Sequence, residues 1–175
     1  SSIVVGQIAK AAGIQMVSAG QDDDILDARD YSGALTLVGG EGDDSVVVSA
    51  GFDLRQKVVK GGIGTDTLSF TVNQLSVTDA DFAGVASIEY LQTANGNNRV
   101  VLGAKAKGAG IATIHGGTGR DTLSAAGFTS NVTLIGGDDK SSLVGGTGSD
   151  SLFGNDQADV LNGGGGIDTM VGGGG

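Results

Sequence analysis

Residues 136–171 read GGDDKSSLV, GGTGSDSLF, GNDQADVLN and GGGGIDTMV, four nonamers in one unbroken register. Looser copies lie upstream: AGQDDDILD (19–27), GGEGDDSVV (39–47), GGIGTDTLS (61–69), TANGNNRVV (93–101) and GGTGRDTLS (116–124). Glycine recurs at positions one, two and four, where a tight turn needs open backbone conformations. An apolar residue stands at position eight: Leu26, Val46, Leu68, Leu123, Leu143, Leu152, Leu161 and Met170. The pattern describes a six-residue turn followed by a short strand with one inward side chain. Such units are stable only when stacked, with parallel strands burying the position-eight residues in a ladder.

Stacking the strands also stacks the turns, about 4.8 Å apart. Position six then brings carboxylate beside carboxylate: Asp24, Asp44, Asp66, Asp121, Asp150, Asp159 and Asp168. Charges that close repel strongly unless a cation lies between them. A cage of carboxylates and turn carbonyls is all oxygen, which suits a hard cation and Ca²⁺ best. The candidate ligands are Asp24 in the first turn, then Gly39, Gly40, Gly42 and Asp44, then Gly61, Gly62, Gly64 and Asp66. They continue with Gly116, Gly117, Gly119 and Asp121, and with Asp139, since Ser141 holds position six in its copy. The last three turns offer Gly145, Gly146, Gly148 and Asp150; Asn155, Asp156 and Asp159; and Gly163, Gly164, Gly166 and Asp168. Asn98 replaces the carboxylate in its copy, and that level is expected to hold no ion.

With these residues quoted, the chain resembles the RTX family of glycine- and aspartate-rich nonapeptide repeats, motif G-G-x-G-x-D-x-U-x. GGTGRDTLS and GGTGSDSLF fit that motif at every position. The resemblance implies a Ca²⁺-loaded, right-handed parallel β-roll, exported through a type I pathway of Gram-negative bacteria to the cell surface or medium. The expected fold class is all-β, a parallel β-roll or β-solenoid with calcium-binding turns and a short helical insertion near 79–84.

Spacing sets the expected coils. At the C-terminus two consecutive nonamers make one coil, stacking Asp150 on Asp168 and the Ser141 turn on Asp159. The wider upstream spacings, from Asp24 to Asp44 and from Asp44 to Asp66, suggest one calcium turn and one ordinary turn per coil. The ordinary turns fall at Asp30–Gly33, Asp53–Gln56 and Gly127–Asn131, with Tyr31, Phe52 and Phe128 closing the core beside them. The calcium side would then run Asp24, Asp44, Asp66, Asn98, Asp121. The interval 70–92 reads as a cap or spacer. Thr78 and Asp81 form a capping box before a short helix, and SIEYLQ (87–92) reads as a strand. QIAKAAG (7–13) and AKAKGAG (104–110) read as single helical turns, and Met16 and Met170 as core.

A longer repeat is also present. Residues 4–40 realign on 101–137 without a gap, pairing Gly6 with Gly103, Asp24 with Asp121 and Tyr31 with Phe128. Residues 1–97 and 98–175 are thus expected to be two long repeats in one continuous solenoid, cut from a larger protein, with any export signal outside the sequence.

Composition narrows the function. The chain has 175 residues, 34 of them glycine, and a net charge of −10. Its 20 acidic residues are 18 Asp and 2 Glu. Aspartate favours turns and tight cages over helices. Cysteine is absent, which excludes disulfides and thiolate chemistry. No apolar run is long enough for a membrane span, and the acidic charge makes nucleic acid a poor partner. The single histidine, His115, stands beside no catalytic motif, and its counterpart in the long repeat is Ser18. No enzyme activity is expected. About five Ca²⁺ ions would cancel the −10, so calcium binding is expected to drive folding of a chain disordered without it. The leading reading is a calcium-stiffened structural module of a surface-layer, adhesin or other exported protein, with self-association or surface attachment through its parent. The alternative is the export-and-folding domain of a secreted enzyme or toxin.

Overall fold

The computed structural model describes residues 1–49 and 53–175. Among these, parallel strands wind into a roll built on a nine-stranded sheet, the spine. Its strands stack in sequence order: Ser2–Val4, Ile25–Asp27, Ser45–Val48, Thr67–Phe70, Tyr90–Gln92, Thr113–His115, Thr133–Ile135, Ser151–Phe153 and Thr169–Val171. Register fixes the coils. Ile25 lies on Ser45, Thr67 on Tyr90 and Tyr90 on Thr113, whereas the last coils shorten to Thr133 on Ser151 and Ser151 on Thr169. The middle residue of each strand points inward, as strand alternation requires. Leu26, Val46, Leu68, Leu91, Ile114, Leu134 and Leu152 are buried in one column. Each such side chain contributes about 1.5–3 kcal/mol of burial free energy.

Two walls face the spine. The N-terminal wall holds Met16–Gly20, Leu35–Glu41, Lys57–Ile63 and Val85–Ala86. The C-terminal wall holds Ser76–Val77, Arg99–Val101, Thr122–Ser124, Ser142–Val144 and Val160–Asn162. The interval 70–92, expected as a cap or spacer, is a coil of the roll in its own right and the place where both walls meet. The chain leaves the spine at Phe70, adds Ser76–Val77 to one wall and Val85–Ala86 to the other, and rejoins the spine at Tyr90. Inward Val77, Phe82, Val85 and Ile88 explain why it winds with the roll.

Short helices stack along one side. They are α1 (Gln7–Ala11), the 3-10 turns Leu54–Gln56 and Asp79–Gly84, and α2 (Ala104–Ala109). Local sequence sets each one. Asp53 caps the first 3-10 turn by accepting from Arg55 N. Thr78 N donates to Asp81 Oδ2 at 2.7 Å, the expected capping box. Asp79 Oδ1 reaches across to accept from Lys105 N and Ala106 N, tying α2 to the coil below. Tyr31 and Phe128 are both buried beside their turns, and Lys10 and Lys107 hold matching surface positions on Ser32 and Thr129. Phe52 lies outside the described residues.

The placement of both methionines differs from expectation. Met16 and Met170 are exposed by 62% and 51%, not core. Val17 is the inward residue of its strand, and Met170 sits on the last of the described coils. The long repeat is also out of phase with the sheets. Met16–Gly20 belongs to the N-terminal wall, but its counterpart Thr113–His115 belongs to the spine. Ile25–Asp27 lies in the spine, but Thr122–Ser124 lies in the C-terminal wall.

Candidate calcium-binding turns

The turn 39–44 shows how the nonamer works. Gly40 (φ 132°) and Gly42 (φ 114°) adopt backbone that side chains rarely reach. Gly39 is needed for a different reason: a Cβ there would collide with the Asp44 carboxylate, which folds back over it, and approach Gly61 O at 2.6 Å. The same collision recurs for Gly61 with Asp66, Gly116 with Asp121, Gly154 with Asp159 and Gly163 with Asp168. The glycine therefore keeps open a space walled by a carboxylate and, at several levels, a carbonyl of the next turn.

At Asp44, Asp66, Asp121, Asp159 and Asp168 the two carboxylate oxygens have different fates. One closes a ladder between coils: Asp24 N donates to Asp44 Oδ1 at 2.9 Å, Asp44 N to Asp66 Oδ1 at 2.8 Å and Asp150 N to Asp168 Oδ1 at 2.9 Å. The second ladder links Asn98 N to Asp121 Oδ1 at 2.8 Å, Asp121 N to Ser141 Oγ at 3.3 Å and Ser141 N to Asp159 Oδ1 at 2.7 Å. Position five adds rungs of opposite sense, Asp43 N to Asp23 Oδ1 and Thr65 N to Asp43 Oδ1. The other oxygen is left over. Oδ2 of Asp44, Asp66, Asp121 and Asp159 is buried without a hydrogen-bond partner among the described residues. An unpaired charged oxygen away from water is costly.

The electrostatics agree. Burial, with repulsion from Asp24 and Asp23, raises the Asp44 carboxyl above its ordinary value. Burial, with repulsion from Asp44 and Glu89, raises Asp66. Burial, with repulsion from Asp139, pushes Asp121 up to about 6. Asp24 is lowered instead, by its hydrogen bond with the Ser1 amino group. Leftover carboxylate oxygens beside turn carbonyls, with no donor supplied, are a donor set that fits a hard divalent cation. Among the described residues no three Asp, Glu, His or Cys side chains converge, so carbonyls must supply most of any cage.

The structure divides the candidate ligands between two flanks of the spine. Turns 39–44 and 61–66 lead into the spine, whereas 116–121 and 136–141 lead out of it. The expected single stack Asp24–Asp44–Asp66–Asn98–Asp121 is therefore corrected. It breaks after Asp66, because the coil 67–89 carries both walls and shifts the next glycine turn to the opposite flank. Glu89 is the next rung after Asp66, accepting from Asp66 N through Oε2 at 2.8 Å. Sequence reasoning missed it because no glycine signature precedes it; Ser87 supplies the left-handed residue instead (φ 52°). Asp150 differs from its peers, since Gly146 N donates to its Oδ2 at 2.6 Å. Asn155 and Asp156 are exposed, and Asp139 lies near Asp121 beside Ser141. His115 sits at a turn edge with Nδ1 3.1 Å from Gln92 Nε2, a structural contact.

A model of the RTX calcium-binding nonapeptide repeat matches the chain in four copies, over residues 36–54, 108–127 and 135–170. Neither the curated proteins nor the solved structures yield a match. The matched segments contain the turns 39–44, 116–121, 136–141, 145–150, 154–159 and 163–168, whose geometry is described above. Repeats of this family typically bind Ca²⁺ and are typical of secreted proteins. The chain thus carries RTX calcium-binding nonapeptide repeats, wound as a parallel β-roll.

Proposed function

We propose that this chain is a calcium-dependent structural module of a secreted or cell-surface protein. The observation that carries this reading is the set of buried, unpartnered oxygens on Asp44, Asp66, Asp121 and Asp159 among the described residues. Bound Ca²⁺ supplies positive charge among these oxygens and removes the penalty of burying them. The residues that would hold it are Asp44 with Gly61 O, Asp66 with Glu89 and Ser87 O, Asp121 with Gly136 O, and Asp159 and Asp168 near the last turns. The chain's own contribution is preorganisation. Position-one glycines keep the space open, and the Oδ1 ladders aim each carboxylate. Because the cage needs two stacked turns, cation binding favours the wound state over the extended chain. Low calcium inside a cell would then leave these coils loose, and calcium outside would stiffen them.

Circular dichroism and calorimetric titration test this directly. Adding Ca²⁺ to chelated protein should raise the β signal, with several ions bound per chain. An unchanged spectrum after thorough chelation, with no heat of calcium binding, would overturn the proposal.

A further inference from the structure

We propose that turn 93–98 is a cation-free level of the roll, closed by the Asn98 side-chain amide where neighbouring turns present an unpartnered carboxylate oxygen. The proposal rests on reading those neighbours as calcium turns. Asn98 is 2% exposed. Its Nδ2 lies 2.8 Å from Ala94 O, 2.8 Å from Gly96 O, 3.1 Å from Gly116 O and 3.0 Å from Asp121 Oδ1. All four are oxygens that only accept. The amide oxygen faces a donor, Leu75 N, at 3.0 Å. These partners fix which way the amide points. Two turns therefore converge their oxygens on one partly positive NH₂ group, in the manner that other levels leave for a cation.

A second residue supports the same conclusion. Position one of this nonamer is Thr93, where the carboxylate-bearing turns 39–44, 61–66 and 116–121 have glycine. At those levels a Cβ would strike the folded-back Asp. Thr93 is buried, and its Oγ1 donates to Gly116 O and, at 3.3 Å, to His115 O. The space that glycine keeps open elsewhere is occupied by a side chain. Thr93 and Asn98 thus depart from the motif together, one filling the space and the other satisfying the oxygens. A neutral amide adds no charge that needs a counter-ion, so this level can close before calcium arrives. It places a cation-independent clamp in the middle of a roll whose turns with an unpartnered carboxylate oxygen wait for ions.

Asn98→Asp would restore the missing carboxylate. Metal counting on calcium-saturated, desalted protein should find one more ion per chain in the variant than in the natural chain. In chelator, backbone amides of residues 93–101 should exchange about tenfold or more faster in the variant. In the calcium-loaded natural chain, NMR should show the Asn98 side-chain amide protons protected from exchange. Equal ion counts in a folded variant, or freely exchanging Asn98 amide protons, would overturn the proposal. Where the variant fails to fold even in calcium, the amide protection of the natural chain decides alone. Protection of Asn98 in a chain that binds no calcium would support this clamp and sink the calcium reading of the other turns.

Discussion

Residues 67–115 and residues 136–171 wind on the same spine but are held in different ways. The middle coils are long, with Thr67 on Tyr90 and Tyr90 on Thr113. Their wide cross-section encloses Phe82, Ile88, Leu102, Ala106 and Ile111 in addition to the strand ladder. The C-terminal coils are shorter, with Thr133 on Ser151 and Ser151 on Thr169, and each strand offers one inward residue, such as Leu143 or Leu152. In exchange their turns carry the densest glycine and carboxylate pattern. Apolar area grows with coil cross-section, and a coil too thin to bury much must be held by its turns. Asn98 sits in the apolar region and needs no ion; Asp159 and Asp168 sit in the thin region.

Calcium removal should separate the two regions most sharply. Hydrogen exchange in chelator should show amides of 142–171 losing protection by orders of magnitude while those of 85–115 persist. Uniform loss across the chain would break the comparison. Core truncation is next in size. Phe82→Ala should cost about 3–5 kcal/mol and abolish the calcium-free residual structure, read by thermal melting in chelator. A larger effect of Leu152→Ala in chelator would move the apolar centre to the thin region. Gly61→Ala should lower calcium stoichiometry, because its Cβ meets the Asp66 carboxylate and Ser87 O. A full ion count in that variant would argue against the cage at this level.

The smallest expected effect is on pH. Asp121 has its carboxyl raised to about 6 by burial when no cation is bound, against about 3.9 in an unfolded chain. Protonation therefore favours the wound state. Its contribution is fully present below about pH 4 and lost as pH rises through about 6. Melting in chelator should shift to higher temperature on acidification across this window, and Asp121→Asn should flatten that shift. Calcium affinity should move the opposite way, weakening below about pH 6 as protons compete for the same oxygens.

Much of this was legible in the residues. The nonamer sets its turn and strand wherever Gly-Gly-x-Gly-x-Asp is intact, because few backbones accommodate it. The stacking of Asp150 on Asp168 and of the Ser141 turn on Asp159 followed from the doubled nonamer spacing. Thr78 and Asp81 announced their 3-10 turn, since a capping box needs only neighbours in sequence. Glu89 was hidden, because its rung depends on Asp66 of the preceding coil and on a left-handed Ser87 that no motif marks. Met16 could not be placed from the sequence because alternation allows two phases, and Val17 took the inward one.

The sequence by itself determined the repeating unit, the inward ladder and the chemistry of the turns, because these depend on residues within one nonamer. The flank on which each turn lies was decided only by the tertiary structure. Spacing gives the length of a coil but not the number of sides it is folded into. The coil 67–89 has three strands where the C-terminal coils have two, and that extra side places the next glycine turns, 93–98 and 116–121, on the opposite flank of the spine. The same holds for Asn98. Its replacement of Asp can be read along the chain, but the four oxygens around its amide come from two coils brought together only by winding.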